Sequence, residues 1–263
     1  MHCSLPSLHG PLGIRRNDAA PASGAFAVVG HWLALVIVPL FLVAILAIPV
    51  ASRAQAVAQL GFTTSVSQNL VAQLAKKFTA AARDLLSQWI GFASQQKASP
   101  FARRLEAAAG REAEILQIVN DRLNRVPYRE DKIHWGTEDY WATPAESVAS
   151  NGGDCEDYAI AKYYLLKELG VPIERLRITY VKAARINQAH MVLAYYAQPD
   201  AEPLILDNLE NQIRPASDRP DLVPVYSFND DEVQLVQGGI KGKPAQIRAW
   251  LGLQDRLLAQ YRT

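Results

Sequence analysis

Cysteine is almost missing from this chain of 263 residues: Cys3 and Cys155 are the two it has. No HExxH, paired CxxC or P-loop spacing is present, which leaves little for a metal-centred enzyme in which Cys155 is incidental. An excess of charge of one sign is missing too. The formal net charge is +1 with no long basic run, which argues against a general nucleic-acid binder. Internal repeats and low-complexity tracts are absent, and 49% hydrophobic with 20% charged residues is an ordinary globular balance.

One stretch is not globular. Residues 32–51 form an apolar run without an ionisable side chain, preceded by Arg15 and Arg16 and followed by small residues and Arg53. Pro39 and Pro49 interrupt it and its flanks are polar, so a buried core helix is a poor reading. An export signal or a membrane anchor fits better, and Arg15-Arg16 is a weak twin-arginine element. Small residues at Ser52-Arg53-Ala54 and Ala54-Gln55-Ala56 offer places for cleavage. Loss of residues 1–56 leaves 24 basic and 25 acidic residues and removes Cys3. Cys155 is then a lone thiol in an oxidising compartment, where a chemical role is commoner than a packing one.

Residues 57–98 read as an alanine-rich helical lead-in, with the helix itself over 59–87. An amphipathic helix follows over 101–123, marked by Phe101, Leu105, Ile115, Leu116, Val119 and Leu123 and stopped by Pro127. Thr143-Pro144-Ala145-Glu146 has the form of a capping box with proline at the first helical position. Next, Asn151-Gly152-Gly153-Asp154-Cys155-Glu156-Asp157-Tyr158 delivers the cysteine to the start of a helix. Its glycines are suited to a turn with positive φ, and its acids suit a helix N-terminus. Tyr158, Leu165, Leu166 and Leu169 mark one face, Ala159 and Lys162 adjoin it, and Gly170 then Pro172 end it. Alternation predicts strands from Leu176 to Val181, from Ala189 to Tyr196 and from Leu204 to Asp207, an antiparallel meander, and an edge strand from Val225 to Phe228. A final helix carries Ile247, Trp250, Leu251, Leu258 and Tyr261. Helices first and a sheet after give an α+β fold. The divisions are 1–56, 57–98, a catalytic domain over 99–240 and a C-terminal helix over 241–263.

A thiol at a helix N-terminus is a candidate nucleophile, and it needs a base and a group to orient that base. His190 near the start of one strand and Asp207 at the end of the next become neighbours in an antiparallel pair. The Cys155 backbone N–H is the nearest oxyanion donor, with the indole of Trp141 or Trp135 as a second. The same triad serves hydrolysis or transglutaminase-type acyl transfer to an amine. A binding module that keeps an idle triad is a third reading, which inertness of the Cys155 thiol would favour.

Four ordered motifs carry a resemblance: Glu138-Asp139-Tyr140-Trp141-Ala142-Thr143-Pro144, the Gly153 to Lys162 stretch, Asn187-Gln188-Ala189-His190-Met191-Val192-Leu193 and Leu206-Asp207-Asn208-Leu209. They resemble the bacterial transglutaminase-like cysteine proteinases, over residues 101–228. That resemblance implies a papain-like, transglutaminase-like α+β core with Cys155 as nucleophile, His190 as base and Asp207 as orienting carboxylate. It also implies a periplasmic location and a calcium requirement. The implied substrate is a large secreted adhesin cut in its N-terminal region, with biofilm dispersal as the result. Control by an inner-membrane receptor for cyclic di-GMP is implied as well. Charge supports the calcium. One carboxylate about 6 Å from a thiolate costs about 3 kcal/mol at an effective dielectric of about 20, or about two pKa units, and three stand beside Cys155. A helix terminus offsets at most about 2 kcal/mol. A hard cation on Asp154 and Glu156, with Asp157 as a further ligand, supplies the balance. The alternative is that these acids cap the helix and face solvent. After export the mature chain is expected to begin near Gln55 or Val57, which N-terminal sequencing of the exported protein would read; an intact Met1 on soluble cytoplasmic protein is the contrary result.

Overall fold

A computed structural model of the chain describes residues 66–79, 81–98, 109–236 and 241–262. The apolar run 32–51, the cleavage sites and residues 101–108 of the amphipathic helix lie outside the described residues. Among the described residues no helix is long and apolar enough to cross a membrane.

The lead-in is two helices, not one. Helix α1, Gln68–Lys77, starts on the Ser67 hydroxyl, which accepts the Leu70 N–H at 3.0 Å. It stops at Phe78, whose backbone leaves the helical region while its ring packs edge-on against Trp135. Helix α2, Ala81–Ala98, then buries Ala82, Leu86, Trp89 and Ala93. Helix α3, Ala109–Leu123, follows, and α4, Asp131–His134, and α5, Pro144–Ser150, lead to α6, Cys155–Glu168. Gly170, at φ 95°, ends α6 where the sequence predicts the stop.

Among the described residues seven antiparallel strands form one sheet: β1, Leu176–Ala183; β2, Gln188–Tyr195; β3, Leu204–Leu206; β4, Arg214–Pro215; β5, Leu222–Phe228; β6, Val233–Leu235; and β7, Lys241–Gly242. Their order is β4-β3-β2-β1-β5-β6-β7, so the predicted meander β1-β2-β3 is present. The predicted edge strand is not at an edge. Strand β5 pairs with β1 on one side and β6 on the other, because Val233 to Leu235 adds to it where the sequence showed no alternation long enough to read. The last helix, α7, Arg248–Tyr261, crosses back into the core.

Helix α6 is not amphipathic in its setting. Every residue from Cys155 to Leu166 is buried, Lys162 included, which is how a helix enclosed by other elements behaves. The sheet, α3 and α5 cover it, and α7 brings Trp250 against Tyr164, ring centroids 5.8 Å apart, and edge-on to Phe228 of β5 at 5.1 Å. A buried ionic tie fixes the other end. Glu112 of α3 takes two hydrogen bonds from Arg175, at 2.6 and 2.9 Å, and one from the Tyr195 hydroxyl. The opposite face of the sheet carries a second, smaller apolar cluster of Val181, Val192, Ala194 and Ile205. Trp250→Ala is expected to cost about 3–5 kcal/mol of stability, read by denaturant unfolding, since a fully buried indole leaves a cavity among packed aromatics.

Candidate active site

The turn before α6 is built by contacts on both sides. Thr143 caps α5 by accepting the Glu146 N–H at 3.2 Å, while the Glu146 carboxylate accepts the Thr143 N–H at 3.0 Å, the predicted capping box with Pro144 in the first turn. Asn151 closes α5 in the left-handed region, φ 52°. Thus the positive φ falls on the asparagine, not on the glycines. Gly152 and Gly153 are needed for room instead: a Cβ on Gly152 would meet the Arg129 stem at 2.3 Å, and one on Gly153 the Asp157 carboxylate at 2.5 Å. Arg129 N–H bonds to the Gly153 carbonyl at 2.9 Å, and Tyr128 bridges Gly153. So pinned, Cys155 is the first residue of α6, where unpaired N–H groups favour negative charge.

Strand pairing supplies the partners. Leu193 opposite Leu206 brings the residue after β3, Asp207, beside the start of β2, and His190 Nε2 lies 2.7 Å from Asp207 Oδ1. Both are almost wholly buried. Burial pushes the Asp207 carboxyl up, but the His190 hydrogen bond and charge, the Leu209 N–H and Arg219 together outweigh it and pull it down to about 2. An ionised carboxylate only accepts, so His190 Nε2 carries the proton and Nδ1 is left as the basic nitrogen. Arg219 Nη2 holds Asp207 Oδ2 at 2.8 Å, and Arg219 also bonds Asp221. From α3, Asn124 Nδ2 donates to the Asp207 carbonyl at 2.7 Å. Lys162, two turns along α6 from Cys155, is pushed down to about 7 by burial, against the attraction of Asp207.

Cys155 and His190 line one small cavity with Tyr128, Gln188, Asn208 and Leu209. The chemistry below is that of the reduced Cys155 side chain. Its Sγ lies 3.1 Å from Glu156 Oε2.

Beside Cys155 the acids converge. Asp131, Asp154 and Glu156 each offer an oxygen, all within 4.8 Å of one another and all buried. Burial first, then the Asp154 charge, pushes Asp131 up to about 7; burial likewise raises Asp154 to about 7 and Glu156 well above its ordinary range. Neither Asp154 oxygen nor Asp131 Oδ1 accepts a hydrogen bond. Buried carboxylate oxygens left without donors call for a cation, and an all-oxygen, all-carboxylate set suits calcium rather than zinc. Solvent-facing caps are therefore not what Asp154 and Glu156 are. Asp157 is different: its oxygens accept the Ala142 N–H at 2.8 Å and the Asp154 N–H at 3.4 Å, so it caps α6 and stands outside the acidic group. Among the described residues the third acid of the group is Asp131.

Neither tryptophan proposed as an oxyanion donor is among the residues lining that cavity. Trp141 is buried and stacked on Phe228, 5.8 Å between centroids, and Trp135 packs on Tyr140 at 4.6 Å. Arg219 and Asp131 were not anticipated. Arg219 sits in a proline-rich loop without a motif, though a buried Asp207 was bound to need a cation; Asp131 lies among several acids of residues 128–141 with no spacing that singles it out.

Residues 88–222, just over half of the chain, match the profile of the bacterial transglutaminase-like cysteine proteinases, BTLCP. The chain belongs to this family. Similar solved structures of the family's LapG from Legionella pneumophila agree. The EGTA-treated form is 38% identical over 73% of this chain and 98% of its own, with a TM-score of 0.61. The calcium-bound form is also 38% identical, over 73% and 99%, with a TM-score of 0.58. No curated protein matches the sequence. The LapG likeness covers more of the chain than the BTLCP match, and the expected papain-like, transglutaminase-like α+β core is the fold of this chain.

A pH dependence follows from Asp207. Its folded pKa lies below the unfolded one, so the ion pairs stabilise above about pH 4, and that stability is lost as pH falls through about 2. A shift of this size is worth about 2 kcal/mol. Unfolding free energies measured from pH 6 to pH 2 should fall less steeply in Asp207→Asn than in the wild type over the last two units.

Proposed function

We propose that this protein is a calcium-dependent periplasmic cysteine endopeptidase that cuts the N-terminal region of a large secreted adhesin. Release of the adhesin then promotes biofilm dispersal. The observation that carries the proteolytic reading is the buried His190–Asp207 pair, braced by Arg219, on the cavity that Cys155 also lines.

The steps follow from the atoms. His190 Nδ1 takes the Cys155 proton, and Sγ attacks the substrate carbonyl, forming an S–C bond as the carbonyl π pair moves to oxygen. The Cys155 backbone N–H at the helix start faces the charge that develops there. Imidazolium, stabilised by Asp207, returns the proton to the leaving amine as the C–N bond breaks. Water, deprotonated by the same nitrogen, then cleaves the thioester and restores the thiol. Arg219 keeps Asp207 ionised and fixed, so it acts on the reaction through Asp207.

Calcium fits the carboxylates of Asp131, Asp154 and Glu156, and when bound it supplies positive charge that offsets the acids next to the thiolate. Support for calcium also comes from the calcium-bound LapG neighbour. The adhesin substrate, the periplasmic location and control by an inner-membrane receptor for cyclic di-GMP are proposed from the family resemblance. Under that control, the receptor sequesters the protease when the nucleotide is abundant.

Cys155→Ala and His190→Ala are expected to abolish cleavage of an adhesin N-terminal fragment by the reduced protein, while Asp207→Asn lowers kcat by about 10⁴-fold or less. Cleavage at the wild-type rate by either of the first two ends the reading. EGTA should stop cleavage and added calcium restore it. In calorimetry with calcium alone, Asp131→Asn and Asp154→Asn should bind at least tenfold more weakly, whereas unaltered binding removes them from the site.

A further inference from the structure

Large apolar side chains stand exposed at few places among the described residues, and two of those flank the catalytic cavity. Ile186 is 41% exposed and Leu209 is 39% exposed, and both line the cavity with Cys155 and His190. Neither sits on a loose loop. Ile186 belongs to the β1–β2 turn, where Asn187, at φ 49°, returns its N–H to the Ala184 carbonyl, and the Ala184 N–H is held by the Asp221 carbonyl at 2.7 Å. Leu209 donates its N–H to Asp207 Oδ1 at 3.0 Å, which ties it to the orienting carboxylate itself.

Sidedness decides what they meet. His190 lies on β2, between β1 and β3, so Ile186 flanks it from the β1 side and Leu209 from the β3 side. In acyl transfer to a thiol, histidine gives its proton to the leaving amine, so the leaving segment must lie against the histidine. The acyl half lies on the other side, over the α6 N-terminus, where the backbone N–H groups face the carbonyl oxygen. We infer that Ile186 and Leu209 form an apolar clamp for the leaving segment of a peptide substrate, which selects an aliphatic residue immediately after the scissile bond. This rests on the proteolytic reading and adds the substrate class to it. Gln188 and Asn208, polar residues that line the same cavity, serve the peptide backbone of that segment.

The test uses three substrates with one acyl half: a peptide with leucine after the scissile bond, the same peptide with glycine there, and an activated ester with no leaving peptide. Wild-type protein is expected to favour leucine over glycine in kcat/KM by about tenfold, the usual worth of a few methylenes in an apolar pocket. In Ile186→Ser and in Leu209→Ser that preference should shrink to about threefold or less, with the ratio of leucine-peptide to ester turnover falling in step. Equal wild-type turnover of the two peptides, or a preference kept in both variants, overturns the clamp. So does a parallel fall of ester and peptide turnover, which would mark general damage to the site. If the wild type shows no Cys155-dependent ester hydrolysis, the proteolytic reading has failed and the clamp fails with it.

Discussion

The ionised state of one buried carboxylate organises this site. Asp207 is enclosed, and burial by itself would neutralise it; a neutral Asp207 could no longer dictate which nitrogen of His190 carries the proton. Arg219 prevents that. The guanidinium stays charged at any working pH, gives Asp207 a permanent partner, and is itself braced by Asp221. The Leu209 N–H then holds the carboxylate and Asn124 the backbone that carries it, so tautomer and geometry are set together.

The acids beside Cys155 pose the opposite problem. Asp207 has cationic help that outweighs its burial, whereas for Asp131, Asp154 and Glu156 burial and mutual repulsion raise the pKa. The two environments, one on either side of the cavity, push carboxylates in opposite directions. That contrast matches the orienting role proposed for Asp207 and the cation-holding one proposed for the other three, although all four residues are of the same chemical kind.

Sequence alone reached the elements whose signals are local. Thr143 and Glu146 announce their helix by a three-residue spacing, Gly170 its partner's end, and alternation marks β1 and β2. The pair His190 and Asp207 was legible because antiparallel pairing follows from two adjacent strands. What escaped depended on distant contacts. Arg219 lies in a loop whose course no periodicity records, and Asp131 meets Asp154 only because Tyr128 and Arg129 are laid against Gly153. Asp157 looked like its neighbours in the string but is turned to cap two N–H groups. Helix α6 offered an apolar stripe, yet burial on all sides makes the stripe a poor guide to its surroundings. The glycines were read for their dihedral freedom, whereas crowding by Arg129 and Asp157 is what they answer to.

Helix α7 contributes no side chain to the cavity, but its Trp250 lies against Tyr163 and Tyr164, on the same helix that presents Cys155. During synthesis every candidate catalytic residue emerges from the ribosome before that indole does. A chain halted at residue 240 would own the proposed nucleophile, base and orienting carboxylate, yet would lack the indole that covers two tyrosines of its central helix. Assembly of a firm site thus waits for residues 248–261, which follow every candidate catalytic residue in the chain.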